Sequence, residues 1–179
     1  VVRTEFNIEG NPNKKFIDMV LEVKPTQVTL VPDAENVLTS NAGWNCIEHQ
    51  AHLRDLVSTF KQAGIRTSIF LDPKTEQAEA AAKTGTDRVE LYTEAYAVGY
   101  SSNKESAIEA YKKTAEVAVR NGMGLNAGHD LDLNNLTFFA SEIDQLLEVS
   151  IGHALVCDAL YYGMENTVKM YLNRLNPTY

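Results

Sequence analysis

The sequence predicts a (β/α) barrel, and three observations carry that reading. Short strand-like runs alternate with helical segments along the whole chain. The connections between them are too short for anything but parallel neighbouring strands. Several strand-like runs alternate apolar with polar or charged residues, whereas a parallel strand covered by helices on both faces is continuously apolar. Successive strand side chains point to opposite faces. If the apolar face meets the helices, the other face is a polar, charged interior, and a closed barrel has a separate compartment for it.

Thr4 to Ile8 reads as the first strand, with Phe6 and Ile8 apolar and Glu5, Asn7 and Glu9 on the opposite face. Asn13 to Val23 is a helix and Gln27 to Val31 the next strand. Ile47 to Ala63 carries Leu53, Leu56, Val57 and Phe60 at helical spacing, and Gly64 stops it. Thr67 to Leu71 is a strand, followed by an alanine-rich helix from Thr75 to Lys83 that Gly85 ends. Arg88 to Tyr92 is a strand in which Val89 and Leu91 alternate with Arg88, Glu90 and Tyr92. A helix from Glu105 to Arg120 ends at Gly122. Gly124 to Ala127 is a strand and Leu133 to Ile143 a helix. The last strand, Leu147 to Ile151, alternates Leu147, Val149 and Ile151 with Glu148 and Ser150. A final helix runs from about Ala154 to Leu175, with Met164, Val168, Leu172 and Leu175 as its apolar stripe. No linker divides the chain, so residues 1–179 read as a single domain long enough to bury a core. Six units are two short of the usual eight.

The net charge of −8 argues against a general binder of nucleic acid or anionic membranes. It leaves room for small anionic ligands held by local backbone donors. Cys46 and Cys157 have neither metal-site spacing nor a disulfide framework and read as reduced thiols of a cytosolic protein. No apolar run is long enough to span a bilayer and no signal peptide opens the chain. The chain starts at Val1 directly in strand-like residues, which reads as a processed or truncated end.

The working face of such a barrel lies at the carboxyl ends of the strands. There the sequence offers Asn7 and Glu9, Pro32 and Asp33, Asp72, Glu90 and Thr93, His129, and Gly152 with His153. Inward glutamates and strand-end histidines suit proton transfer, because burial tunes both groups toward neutrality. Blander readings compete. Asp72, before Pro73, reads as a turn or helix cap, and Glu5 with Arg88 as a structural ion pair inside the barrel. Glu9 precedes Gly10 and could face solvent; His129 and Asp130 could be a capping pair. His49 and His52 read as surface residues of an outer helix. Ser150-Ile151-Gly152-His153-Ala154 leads from a strand through a glycine into a helix, where free N–H groups and the positive helix end suit a phosphate.

Phe6-Asn7-Ile8-Glu9, Leu30-Val31-Pro32, Asn126-Ala127-Gly128-His129 and Ile151-Gly152-His153-Ala154 stand in the order and spacing of the pyridoxine 5′-phosphate synthase family. The segment Ser68 to Tyr92, with Leu71-Asp72 and Glu90-Leu91-Tyr92-Thr93, resembles it as well, so the likeness covers essentially the whole chain. The resemblance implies an α/β fold, a (β/α)8 TIM barrel, that builds the pyridine ring of vitamin B6. It implies condensation of 1-deoxy-D-xylulose 5-phosphate with 3-amino-2-oxopropyl phosphate, releasing phosphate and water. It implies no metal or organic cofactor, small phosphorylated substrates as the only ligands, and a cytoplasmic octamer. Carried over, Glu9 matches the family's proton acceptor, His129 its proton donor, and Glu90 a glutamate that stabilises charged intermediates. Thr39 matches a contact to the deoxyxylulose phosphate, and Gly152 and His153 the pair that holds the aminoketone phosphate. Asp130 stands where the family commonly has a glycine touching the same substrate.

Relative to the family the chain begins at the third strand and is N-terminally incomplete. The first strand's Asn-x-Asp-His motif with its arginine is absent, as are the second strand's catalytic histidine and substrate-binding arginine. The expectation is a fragment of a longer protein, which alone would be inactive. Two other readings stay open. One is another phosphate-sugar barrel enzyme, although none of the six strands ends in the lysine an imine-type aldolase needs, and four histidines make a poor metal-dependent epimerase. The other is a non-catalytic truncated chain.

Overall fold

The computed structural model describes residues 2–33 and 42–176. Six parallel strands form one sheet in sequential order: β1 (Asn7–Gly10), β2 (Gln27–Leu30), β3 (Arg66–Leu71), β4 (Arg88–Tyr92), β5 (Gly124–Gly128) and β6 (Leu146–Ser150). The helices between and after them are α1 (Lys14–Val23), α2 (Gln50–Gln62), α3 (Thr75–Ala82), α4 (Glu94–Arg120), α5 (Leu136–Glu142), α6 (His153–Tyr162) and α7 (Met164–Leu175). The sheet curls into part of a TIM barrel. Contacts across its concave face show the curl, with Thr29 of β2 reaching Glu90 of β4, Arg88 of β4 reaching Glu148 of β6, and Glu9 of β1 reaching His129 beyond β5.

The two faces divide as the alternation requires. Val28, Leu30, Ile69, Leu71, Val89, Leu91, Leu125 and Ala127 point outward into one core with Leu53, Val57, Phe60, Ile108, Tyr111 and Phe139 of the helices. Thr29, Ser68, Glu90 and Asn126 are buried polar residues on the other side. There Arg88 donates to Asn126 Oδ1 at 3.1 Å and to Glu148 at 2.9 Å. The ion pair expected between Glu5 and Arg88 does not form. Glu5 lies ahead of β1 and binds Arg66 through both terminal guanidinium nitrogens, at 2.6 and 2.8 Å, because Arg66 opens β3 on the same level of the barrel. Arg88 is taken by Glu148.

Several boundaries differ from the sequence reading for local reasons. β1 runs Asn7–Gly10 rather than from Thr4, since its register with β2 pairs Asn7 with Gln27 and Gly10 with Leu30. That shift puts Glu9 inside the strand. α4 begins at Glu94 and kinks at Asn103, whose side chain accepts the Ser106 N–H at 2.9 Å and so caps the second segment. The expected single final helix breaks at Gly163 (φ 78°) into α6 and α7. Of the proposed stripe only Leu175 packs against the core: Met164, Val168 and Leu172 are exposed, and α7 buries Thr167 and Tyr171. Tyr171 donates to Asp158 of α6 at 2.8 Å, which turns that side of α7 inward. In β6 the register skips Leu147 between Leu125–Leu146 and Asn126–Glu148, and this bulge leaves Leu147 exposed.

Behind the active end of the sheet, buried tyrosines tie α4 to the strands. The Tyr111 hydroxyl donates to the Tyr92 carbonyl at 2.8 Å and accepts the Tyr96 N–H at 3.2 Å. Tyr111→Phe removes both bonds and is expected to lower stability by about 1–3 kcal/mol. A urea titration should show the midpoint falling with its slope unchanged; an unmoved midpoint would mean the bridge contributes nothing.

Candidate active site

Three ionisable groups from three strands meet at the carboxyl end of the concave face. Glu9 comes from β1, Glu90 from the middle of β4, and His129 follows β5. His129 Nε2 lies 2.9 Å from Glu9 Oε1 and 4.0 Å from Glu90 Oε1. Glu9, Glu90 and His129 come together on the concave face as expected; Glu9 is at the same time exposed to solvent, as its blander reading had it, while the His129 ring meets the two carboxylates rather than capping a helix. His129 has φ 100°, a conformation that L side chains rarely adopt. The turn is held by backbone: His129 N–H donates to the Ser150 carbonyl at 3.0 Å, and Thr93 Oγ1 donates to the Gly128 carbonyl at 2.7 Å while accepting the Asp130 N–H at 3.1 Å.

Glu90 is wholly buried. Desolvation pushes its carboxyl well above the ordinary carboxylate range, the Glu9 charge adds to that, and hydrogen bonds from Ser150 and Thr29 oppose it. Its Oε2 lies 3.4 Å from Thr29 Oγ1, which is also 3.2 Å from Asn7 Oδ1. Its Oε1 has no hydrogen-bond partner among the described residues. Gly128 makes room for it, because a β-carbon there would collide with Glu90 Oε1.

Glu9, Glu90 and His129 present ligand atoms within 4.8 Å of one another, a spacing a cation could also use. The buried Glu90 carboxyl is held toward its neutral form, which suits proton transfer. Asp130 sits beside this trio. Desolvation and the Glu94 charge raise its carboxyl, while His129 and His153 pull the other way.

Gly152 is the N-cap of α6 and His153 its first residue. At φ −102° Gly152 needs no glycine for its backbone, and a β-carbon would meet no atom within 4 Å. The space before the helix is open, as an anion site requires. Thr39 lies outside the described residues. Asp72 is structural but does not cap the following helix as its position suggested: it accepts the distant Gly43 N–H at 3.0 Å and pairs with Lys74 at 3.1 Å. His49, just ahead of α2, and His52 on it are exposed beside Trp44. Two residues escaped the sequence reading. Phe70 stacks on the His129 ring at 4.6 Å between centroids and Tyr92 meets it edge-on at 5.9 Å. Their inward parity on β3 and β4 was the available signal.

The model of the family described as pyridoxal phosphate biosynthesis protein PdxJ matches residues 1–177. The chain belongs to the PdxJ family. It is 60% identical over 175 residues to the pyridoxine 5′-phosphate synthase of Cytophaga hutchinsonii, covering 98% of this chain and 74% of that protein. The synthases of Flavobacterium johnsoniae and Parabacteroides distasonis are 57% and 56% identical with the same coverage. Among solved structures, a flavocytochrome b2 mutant with benzoylformate aligns over 96% of this chain and 47% of that one, at 14% identity and TM-score 0.55. The Amycolatopsis orientalis BexX/CysO complex aligns over 90% and 62%, at 13% identity and TM-score 0.53. These two likenesses speak to the fold alone. No helix among the described residues of this PdxJ-family chain is long and apolar enough to cross a membrane.

The Glu90 carboxyl gives the site a pH signature. The folded state keeps a proton that the unfolded chain releases above about pH 4.5. The contribution of Glu90 to stability is therefore largest below that pH and falls as pH rises toward the folded-state value, by at most ~1.4 kcal/mol per pH unit. Glu90→Gln carries no such proton. Its melting temperature should gain on the unsubstituted protein as pH rises above about 4.5; parallel curves would show that Glu90 is ionised in the fold.

Proposed function

We propose that the protein is a pyridoxine 5′-phosphate synthase that condenses 1-deoxy-D-xylulose 5-phosphate with 3-amino-2-oxopropyl phosphate and releases phosphate and water. The observation that carries this reading is the contact between Glu9 and His129 beside a buried Glu90. Imine formation, loss of phosphate, loss of water and cyclisation each move protons at one place. A carboxylate that accepts a proton and an imidazole that donates one, 2.9 Å apart, can hand the proton back and reset the site between steps. Glu90 in its neutral form is a proton donor to developing negative charge, and in its ionised form a counter-charge to an iminium. No step in this scheme calls for a metal or an organic cofactor.

Substrate holding falls to the open end of α6. Gly152 lets phosphate oxygens approach the first-turn N–H groups, and the exposed His153 ring adds a donor for the aminoketone phosphate. Thr39 is assigned to the deoxyxylulose phosphate and Asp130 to the aminoketone end by resemblance. The reading brings with it a cytoplasmic homo-oligomer, octameric as the family resemblance implies, with no nucleic-acid or membrane partner. The net charge of −8 supports the last point.

Supplied with both phosphorylated substrates, the complete protein should release inorganic phosphate together with a product absorbing as a pyridine. Phosphate release without a pyridine would point to another phosphate-sugar enzyme. His129→Asn should lower turnover by roughly 10²–10⁴-fold with substrate binding little changed; near-normal turnover removes His129 from the mechanism. Gly152→Val should weaken calorimetric binding of a phosphorylated substrate analogue while the protein still folds, and equal binding would put the phosphate elsewhere.

A further inference from the structure

We propose that Phe70, taking His129 as the proton donor assigned above, is the positioning residue of this site: its ring face sets the plane of the His129 imidazole and aims Nε2 at Glu9 and Glu90. A histidine that works as an acid or base is usually oriented by a hydrogen bond at its second ring nitrogen. His129 has none among the described residues; its one ring hydrogen bond joins Nε2 to Glu9. Its backbone, at φ 100°, has already left the strand, so strand geometry does not fix the side chain either. The remaining constraint is aromatic. Phe70 lies under the imidazole with the planes 27° apart, and Tyr92 closes the flank at 76°.

The place of Phe70 in the fold fits that role better than core filling. The other inward residues of β3 are Arg66 and Ser68, and its register partner on β4 is Glu90. Phe70 is fully buried on this polar side, in a small cluster with Val31 and Tyr92 that is separate from the main core. It is itself well fixed, tilted against the Tyr92 ring at 5.2 Å between centroids and with its carbonyl accepting the Trp44 backbone N–H at 2.9 Å. A flat, buried, uncharged face keeps the imidazole from tilting toward it and does not compete with Glu9 for its proton.

The test begins with the unsubstituted protein, labelled with ¹³C and ¹⁵N in histidine. The ring protons of His129 should resonate upfield of the other histidines, of which the chain has four in all, and show cross-peaks to the Phe70 ring. Normal shifts without cross-peaks would overturn the stacking outright. Phe70→Leu keeps bulk but loses the flat face, with Phe70→Met read in its place if the leucine variant does not fold. Either should erase the single hydrogen-bonded Nε2 signal of His129 while the remaining histidines stay unchanged; Phe70→Tyr should restore it. In the ring-forming assay the same loss should lower kcat about 10- to 100-fold with KM within about twofold, the range for removing a group that orients a reacting side chain. Loss of kcat with an intact Nε2 signal would mean that Phe70 acts on substrate directly and would sink the proposal. If the unsubstituted protein forms no pyridine, the functional reading fails, and the His129 spectra still decide the positioning role.

Discussion

A carboxyl group cannot be taken out of water cheaply, and Glu90 is wholly out of water. Much of the local sequence is arranged around that constraint. Gly128 has to be glycine because the Glu90 oxygen occupies the volume of its missing β-carbon. Thr29 and Ser150, from strands on either side, offer it hydroxyls, and Glu9 faces it with a second carboxyl that discourages its ionisation. A hydrophobic residue at position 90 would pack more readily and would serve no proton chemistry. The site accepts a local penalty in folding energy in return for a carboxyl whose charge is poised to change.

The curl of the sheet turns that constraint into a site. Glu9 and His129 are 120 positions apart in sequence and 2.9 Å apart in space. They meet because the concave face brings β1 opposite the end of β5. His129 itself occupies a backbone conformation that costs about 1–3 kcal/mol and persists only where neighbours over-determine it. Here the neighbours are the Ser150 carbonyl at its N–H and the Thr93 hydroxyl bridging Gly128 and Asp130. The sequence Asn-Ala-Gly-His-Asp thus reads as one device, with Asn126 for the interior, Gly128 for Glu90, and His129 at the rim where the strand has ended.

What was legible in the sequence was periodic. Alternation along β1, β4 and β6 revealed a polar interior, and a polar interior sufficed to choose a curled barrel sheet and to point Glu9 and Glu90 into it. What was not legible depended on three-dimensional choice between equivalent partners. Glu5 and Arg88 share an inward parity, yet Arg66 and Glu148 are nearer and take them. Met164, Val168 and Leu172 make a regular helical stripe, but Gly163 breaks the helix and the Tyr171–Asp158 bond turns the adjacent side inward. Periodicity gives the existence of a face, whereas its direction is set by contacts that lie outside the helix. Phe70 was hidden for a related reason, since an aromatic in a strand reads as core until its parity is compared with that of Ser68 and Glu90.

The separation of the two faces also explains how such a site coexists with a stable fold. The outward residues of β2 to β5 and the helices they meet form the continuous apolar core, and none of the site residues belongs to it. Phe70 and Tyr92 sit with Val31 in their own cluster, buried but not shared with the main core. Substitutions on the concave face therefore alter charge and orientation without opening cavities in the packing that holds the strands together. Deep apolar burial on one side of each strand leaves the other side free to keep charged groups close, at angles fixed to within the rigidity of the sheet. That rigidity is what a proton relay between Glu9 and His129 requires, because a hydrogen bond of this length is lost with a displacement of well under 1 Å.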